Sequence, residues 1–401
     1  MFLELVSRND DLKRLVEKGY AVGFDSGHLV VRDVPYLDNQ KKLQIGTFVT
    51  KLEFIDKTQV KQQDHQVFFC GAMPHDVDGA PIRNLGGGPV QVALKDPALV
   101  VQRSFSNKPL LANGAHDPNG FPDFFAKIEN YTAIISGPAK QLYPDANPLT
   151  FKVDEEVTTG SVFKFHDTLT SRAEIGDLAK KLGEDVVAII GLGGTGAYLL
   201  DFMVKAPVKE VRAFDRDAFH VHNAYRSPGR LLDDGELGKT KAEVYAQRYA
   251  NFREGLRVEA KYVDASSEAE LEGVTFAFVC VDKGSARKEI FDILLAKQIP
   301  FIDVGMGLNR KRGPLAGMVR MTYYPSNKGK EIRARNHAEQ ADARDDEYLA
   351  NIQISELNAL NAALAVLRYK QVRGFYVDDG DLVHSLFDVT DFKLQGETLA
   401  A

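Results

Sequence analysis

Tryptophan is absent from the 401 residues and cysteine occurs only twice, at Cys70 and Cys280. Two isolated cysteines supply neither a disulfide framework nor the paired Cys-x-x-Cys of a structural zinc site. Long apolar runs are missing too: none approaches the roughly 20 residues that span a bilayer. The opening Met-Phe-Leu-Glu-Leu-Val-Ser-Arg has no signal-peptide pattern. A cytoplasmic protein without membrane contact is the expectation. There is no basic excess either, since the formal net charge is −6. That argues against general binding to nucleic acid or to an anionic membrane surface. What is present is an ordinary globular composition, 44% apolar and 26% charged, in a chain long enough for two or three domains.

One stretch organises the rest. Val187-Ala-Ile-Ile190 reads as a buried parallel strand and passes directly into Gly191-Leu-Gly193-Gly194-Thr-Gly196, then into the helix-like Ala197-Tyr-Leu-Leu-Asp-Phe202. Glycines there permit a tight turn and close approach of backbone to a phosphate. The free N–H groups and positive end of the following helix attract the anion. The pattern predicts a nucleotide site without saying which nucleotide.

Around it, residues 1–150 read as a strand-rich α+β domain for recognition or scaffolding, with strands at 28–32, 46–54, 66–70 and 131–136 and a short helix at 121–130. His65, His75 and His116 lack metal-ligand spacing and read as loop histidines. A boundary falls at 144–160, rich in Pro, Asp, Thr and Gly. Residues 165–401 then form the second domain, opening with a helix over 168–182. From 186 onward strands and helices alternate, which predicts a doubly wound, Rossmann-like, mostly parallel α/β sheet. Its expected strand ends carry Gly191–Gly196, Asp215, Asp282 and Gly305–Gly307. A charged loop at 326–347, a long helix at 351–371 and a last strand near 386–389 complete the expectation.

Asp215 ends the second strand of this sheet 19 residues after Gly196, the place of a carboxylate that binds a ribose hydroxyl pair. NAD would be satisfied by that much. Asp217, Asn223, Arg226 and Lys241 add polar and cationic groups suited to a triphosphate, whose reaction needs cations where charge develops. Asp282, after an apolar strand, suits a magnesium ion bridging phosphate oxygens.

At these residues the chain resembles the ThiF/MoeB family, the adenylating domain shared with ubiquitin-activating enzymes. The matching motifs are Gly191-x-Gly193-Gly194-x-Gly196, Asp215-Arg-Asp217, Asn223-Ala-Tyr-Arg226, Gly238-Lys-Thr-Lys241 and Val281-Asp282, which stand in the family's order across about residues 165–310. The resemblance implies that Asp215 binds ribose, that Asn223, Arg226 and Lys241 hold the triphosphate of ATP, and that Asp282 serves Mg2+. Ser171-Arg172 looks like the family's Ser-Arg, whose arginine reaches the phosphates, often from the other subunit of a homodimer. The implied reaction joins AMP to the C-terminal carboxylate of a ubiquitin-like carrier protein, for transfer to a conjugating enzyme.

The departures matter as well. The paired cysteines of zinc-bearing relatives are missing, and the loop 326–347 has no cysteine where relatives that form a thioester carry one. Cys280 and Cys70 read as core. The stretches 301–307, 351–366 and 374–376, with the strand-rich first half, resemble the bacterial ThiF-type proteins of antiphage conjugation operons. Asn351, Gln353, Asn358 and Asn361, at about helical spacing, either present an amide face to the carrier's tail or pack a helix with a polar cap. Two other readings stand beside adenylation: an NAD-linked oxidoreductase resting on the glycine loop and Asp215 alone, and a non-catalytic docking platform.

Overall fold

A computed structural model describes residues 2–399 except 110–113, 119, 153–160, 166, 168, 171–172, 174, 232, 268, 311–312 and 343–351. The chain divides into two units, Met1–Gly176 and Asp177–Ala401, each with its own core. No helix among the described residues is long and apolar enough to cross a membrane.

In the first unit, helices α1 (Phe2–Arg8) and α2 (Asp10–Lys18) precede strands β1 (Ala21–Asp25), β2 (His28–Leu37), β3 (Leu43–Phe54), β4 (Val60–Gln62), β5 (Val67–Cys70) and β6 (Arg103–Phe105). The strands form an antiparallel sheet of order β1-β2-β3-β5-β6, with β4 on β3. Alternation decides which side chain goes where. Leu29, Val31, Phe48 and Phe69 pack against Leu12 and Leu15 of α2 and Ile128, Tyr131 and Ile135 of helix α3 (Phe124–Leu142). Val30 and Val49 point to the other face, under Leu99 and Val101. The strand expected at 131–136 is therefore corrected: those residues lie inside α3. Phe124, Ile128, Tyr131, Ile135 and Ala139 are buried at three- and four-residue intervals, a helical period that outweighs the local alternation. Asp123 caps the helix by accepting the Ala126 amide at 2.7 Å.

The second unit is built on β7 (Val186–Ile190), α5 (Gly194–Val204), β8 (Glu210–Phe214), α6 (Val221–Ala224), α7 (Lys241–Tyr249), β9 (Leu256–Glu259), β10 (Phe276–Val279), α8 (Gly284–Ala296) and β11 (Phe301–Asn309). It continues with β12 (Ala316–Tyr324), α9 (Gly329–Ala334), α10 (Ser355–Val372), β13 (Leu382–Asp388) and β14 (Lys393–Thr398). The helix expected over 168–182 is represented chiefly by the short α4 (Gly176–Lys180). The sheet has the order β14-β13-β12-β11-β10-β7-β8-β9. β11, β10, β7, β8 and β9 are parallel, and β12 to β14 add antiparallel strands.

All five residues of β7 are buried because both faces of the sheet are covered. Val187 and Ile189 pack with Leu199, Leu200, Ala362, Ala365 and Tyr369 of α5 and α10. Ala188 and Ile190 face Ile290, Phe291 and Leu294 of α8. Each fully buried aliphatic side chain contributes about 1.5–3 kcal/mol. Gly305-Met-Gly307, expected at a strand end, lies within β11, which runs on as a hairpin with β12.

Candidate active site

Strand order reverses at β7. Its successors β8 and β9 lie on one side and β10 and β11 on the other, so the loops leaving β7 and β10 diverge and open a crevice at their carboxyl ends. Both loops begin as extensions of the strand pairing, with the Gly191 amide donating to the Phe214 carbonyl at 2.9 Å and the Cys280 amide to the Ile190 carbonyl at 2.8 Å.

The glycines of the loop after β7 are there for different reasons. Gly191 has φ +96°, and a Cβ on it would lie 2.9 Å from the Cys280 carbonyl oxygen. A Cβ on Gly196 would lie 1.9 Å from the Gly191 carbonyl oxygen, and one on Gly194 would lie 2.1 Å from the Asn358 amide nitrogen. Gly193 faces open space. It is the N-cap of α5 and no side chain caps that helix, which leaves a helix N-terminus receptive to an anion beside the loop.

Asp215 follows β8 and is 4% exposed. Its Oδ2 accepts the Leu192 amide at 2.7 Å and its Oδ1 accepts the Asp217 amide at 2.8 Å. Lys241, the first residue of α7 and also buried, reaches Asp215 Oδ2 at 3.3 Å and Asp217 Oδ2 at 2.8 Å. Its position is set by the turn before it, where Thr240 and Glu243 form a capping box and the Lys241 amide donates to the Asp217 carbonyl at 2.9 Å. Tyr262, beyond β9, donates its hydroxyl to Asp217 Oδ1 at 2.7 Å while its ring remains exposed. Burial raises the Asp217 pKa, but hydrogen bonds from Lys241 and Tyr262 outweigh it and hold the carboxyl below its ordinary value.

Asn223 is buried on α6, and its Oδ1 accepts the His220 amide at 2.8 Å. That bond fixes the turn carrying Arg226, which is half-buried and has no partner on Nε among the described residues. Burial lowers the Arg226 pKa and the charge of Asp282 opposes this. Asp282 itself is exposed. Arg287 of α8 steadies the segment before it, donating to the Val281 carbonyl at 2.6 Å and to Asp303 Oδ1 at 3.1 Å. Asp215, Asp217 and Lys241 thus form one ion-paired cluster, while Arg226 and Asp282 make no ion pair with each other. Arg172 lies outside the described residues.

Tyr262, Arg287 and Asn358 have no place in the sequence motifs. Asn358, 1% exposed, accepts the Thr195 hydroxyl on Oδ1 at 2.9 Å and donates from Nδ2 to the Arg226 carbonyl at 3.4 Å. Asn361, fully buried, donates to the Gly305 carbonyl at 2.9 Å. Of the two readings of these amides, helix packing holds for Asn358 and Asn361 and the face towards a carrier's tail does not: both point inward, because α10 is covered on that side by α5 and β11. Asn351 lies outside the described residues.

A surface cavity of about 730 Å³ lies elsewhere, lined by Lys288, Lys330, Arg333 and Glu339 among others, and none of the crevice residues borders it. We place the chemistry at the crevice, since that is where strand ends, helix terminus and charged side chains converge. No group of three or more His, Cys, Asp or Glu side chains forms a metal cage among the described residues. The donor present, one accessible carboxylate on Asp282, fits a magnesium ion that keeps water and phosphate oxygens as its other ligands. The loop that a Cβ would fill, the uncapped helix and two nearby cations fit a polyphosphate.

Residues 10–168 match a family described as a domain of unknown function (DUF6791), and residues 169–367 match the ThiF family. No curated protein matches the sequence. Among solved structures, selenomethionine PaaA is similar at 18% identity over 58% of this chain and 80% of that one, with a TM-score of 0.42. Escherichia coli MccB with ATP is similar at 16% identity over 55% of this chain and 66% of that one, with a TM-score of 0.40. The glycine loop at the reversal of strand order, the buried carboxylate after β8 and the family match coincide on one stretch of chain: residues 169–367 are a ThiF-family domain.

Proposed function

We propose that this domain adenylates the C-terminal carboxylate of a ubiquitin-like protein, using ATP and Mg2+. The observation that carries the reading is the convergence, at the reversal of the sheet, of an uncapped helix N-terminus with Lys241, Arg226 and Asp282. In the reaction the carrier's carboxylate oxygen bonds to the α-phosphorus of ATP, the bond from that phosphorus to the bridging oxygen breaks, and pyrophosphate leaves with the electron pair. The attacking carboxylate is already ionised at neutral pH, so no general base is needed, and the protein's contribution is placement and charge neutralisation.

The first-turn amides of α5 and the glycine loop receive phosphate oxygens. Lys241 exchanges part of its pairing with Asp215 and Asp217 for the triphosphate, and Arg226 neutralises charge that grows on the departing pyrophosphate. Asp215, which also braces the loop, is the ribose-binding carboxylate, and Asp217 is the accessible carboxylate beside it. Asn223 holds the turn that aims Arg226. Asp282 would hold Mg2+, which when bound would neutralise phosphate charge.

We propose that the adenylate passes to the thiol of a conjugating enzyme, a reading supported by the two cysteines of this chain. Burial pushes the Cys70 thiol up to about 11 and the Cys280 thiol well above its ordinary value, and a nucleophilic cysteine needs the opposite shift. We further propose a homodimer in which Arg172 completes the neighbouring site, recognition of the carrier by the first unit, and a place in bacterial antiphage conjugation. An NAD-linked reaction would leave Arg226 and Lys241 without a task.

The test is ATP–pyrophosphate exchange with magnesium and the ubiquitin-like protein encoded nearest to the gene. Exchange should require the carrier's free C-terminus and fall on the order of 100-fold in Arg226→Ala and Asp282→Ala. Full exchange in either variant would remove the assignment, and ATP binding without exchange would favour a docking platform.

A further inference from the structure

Helix α10 reaches the crevice from 163 residues further along the chain, yet it touches both halves of the site. Asn358 is its contact. The Arg226 carbonyl can only accept, so Nδ2 of Asn358 faces it, and Oδ1 is left for the Thr195 hydroxyl. A Cβ on Gly194 would sit 2.1 Å from Nδ2, 2.5 Å from Cγ and 2.7 Å from Oδ1 of the same amide. One turn earlier, the Ser355 and Tyr198 hydroxyls meet at 2.6 Å, which fixes α10 against α5 beside this contact. The absence of a side chain at Gly194 is therefore a requirement of Asn358. Gly193, the glycine with open space, has no such neighbour.

We infer that Asn358 is a positioning residue: its amide sets the distance between the phosphate-receiving first turn of α5 and the turn that presents Arg226. Its side chain is buried and its hydrogen bonds go to Thr195 and the Arg226 carbonyl, so it is assigned no direct part in binding ATP. It acts through the Thr195 side chain, the space left at Gly194 and the Arg226 backbone. Two parts of the site, one following β7 and the other following β8, are thereby held at one spacing. The inference rests on the nucleotide reading given above.

The experiment is a double-mutant cycle read in ATP affinity on the full chain, with exchange measured in parallel. Gly194→Ala is expected to weaken ATP binding about tenfold or more, because the new methyl displaces the Asn358 amide. Asn358→Ala alone should weaken ATP binding about threefold or less but lower exchange about tenfold, because Arg226 loses its anchor. Gly194→Ala with Asn358→Ala should bind ATP as Asn358→Ala does, an interaction that a merely structural asparagine would not give. Thr195→Val, which keeps the shape and removes the hydroxyl, should reproduce part of the Asn358→Ala loss of exchange and serves if Asn358→Ala does not fold.

Additive effects of Gly194→Ala and Asn358→Ala on ATP affinity, or exchange within about twofold of the unsubstituted chain in both Asn358→Ala and Thr195→Val, would overturn the inference. The affinity cycle separates it from the function reading. Coupling without any exchange would leave the positioning role and remove adenylation, exchange without coupling would do the reverse, and no ATP binding by the unsubstituted chain would overturn both.

Discussion

The carboxylate of Asp215 accepts the backbone amide of Leu192 at 2.7 Å, so the residue that ends β8 holds the loop that leaves β7. Lys241 lies against the same carboxylate, and both side chains are more than nine-tenths buried. Asp215 is thus first a brace of the glycine loop, whatever it contributes to a ribose.

Asp215→Ala leaves the Leu192 and Asp217 amides without their acceptor and takes from the buried Lys241 ammonium one of its two carboxylate partners, and the expected loss of stability is about 3 kcal/mol. Urea denaturation of the full chain measures it. A loss below about 1 kcal/mol would mean that water or Asp217 takes over these bonds.

Gly193 and Gly196 belong to the same motif but should respond oppositely to alanine. At Gly196 the methyl would meet the Gly191 carbonyl at 1.9 Å, and the backbone of the loop has to move. About 3 kcal/mol or more of stability should be lost there, against less than about 1 kcal/mol at Gly193, which has no neighbour within 4 Å. Equal thermal shifts in the two variants would contradict the packing described for the loop.

His384 gives a pH dependence. Its Nδ1 meets the Thr322 hydroxyl at 2.9 Å and its ring stacks on His337 at 3.9 Å. Burial, His337 and Arg320 push the imidazole down from 6.5 to about 4, against a weaker pull from Glu397. A base with a depressed folded-state pKa binds its proton more readily when unfolded, so its contribution is intact above pH 6.5 and is lost as the pH falls towards 4. Allowing for solvent screening, the expected loss is about 2 kcal/mol. Stability profiles of the unsubstituted chain and His384→Gln should converge over that interval, and parallel profiles would refute the assignment.

If the acyl-adenylate passes directly to a partner's thiol, Cys70→Ser combined with Cys280→Ala should keep ATP–pyrophosphate exchange within about threefold of the unsubstituted chain. Non-reducing electrophoresis with ATP and the carrier should show no thioester on this chain. A reducible adduct lost in either cysteine variant would place an acceptor here after all.

Legibility followed range. β7, the glycine loop and the start of α5 are contiguous, and β-branched residues followed by glycines state their conformation locally. Asp215 could be placed near them because strand ends converge in a parallel sheet, and Lys241 because Gly238-Lys-Thr-Lys241 matches a family motif. The inward amide of Asn358 has no local signature, since helical spacing gives a shared face without saying what covers it. Tyr262 and Arg287 act through single hydrogen bonds to distant backbone or carboxylate oxygens. α2 carries a plain helical signal in Leu12, Leu15 and Val16, which a strand-rich reading of the first half passes over. In α3, the alternating Tyr131–Ser136 stretch suggested a strand until the wider period of its neighbours is counted. β14 is mostly exposed and contains Gly396, so neither alternation nor β-branching marks it.

The order of synthesis gives the contact between Thr195 and Asn358 a further meaning. The glycine loop leaves the ribosome 163 residues before its lock, and the same late helix delivers Ala362, Ala365 and Tyr369 to the core beneath β7. A nascent or C-terminally clipped chain ending before Ser355 possesses every motif of the nucleotide site and lacks the part that fixes their spacing. On the proposed reading the spacing of the site is set only once α10 has been made, and a cut that releases α10 is expected to weaken the site without removing a residue assigned to the nucleotide.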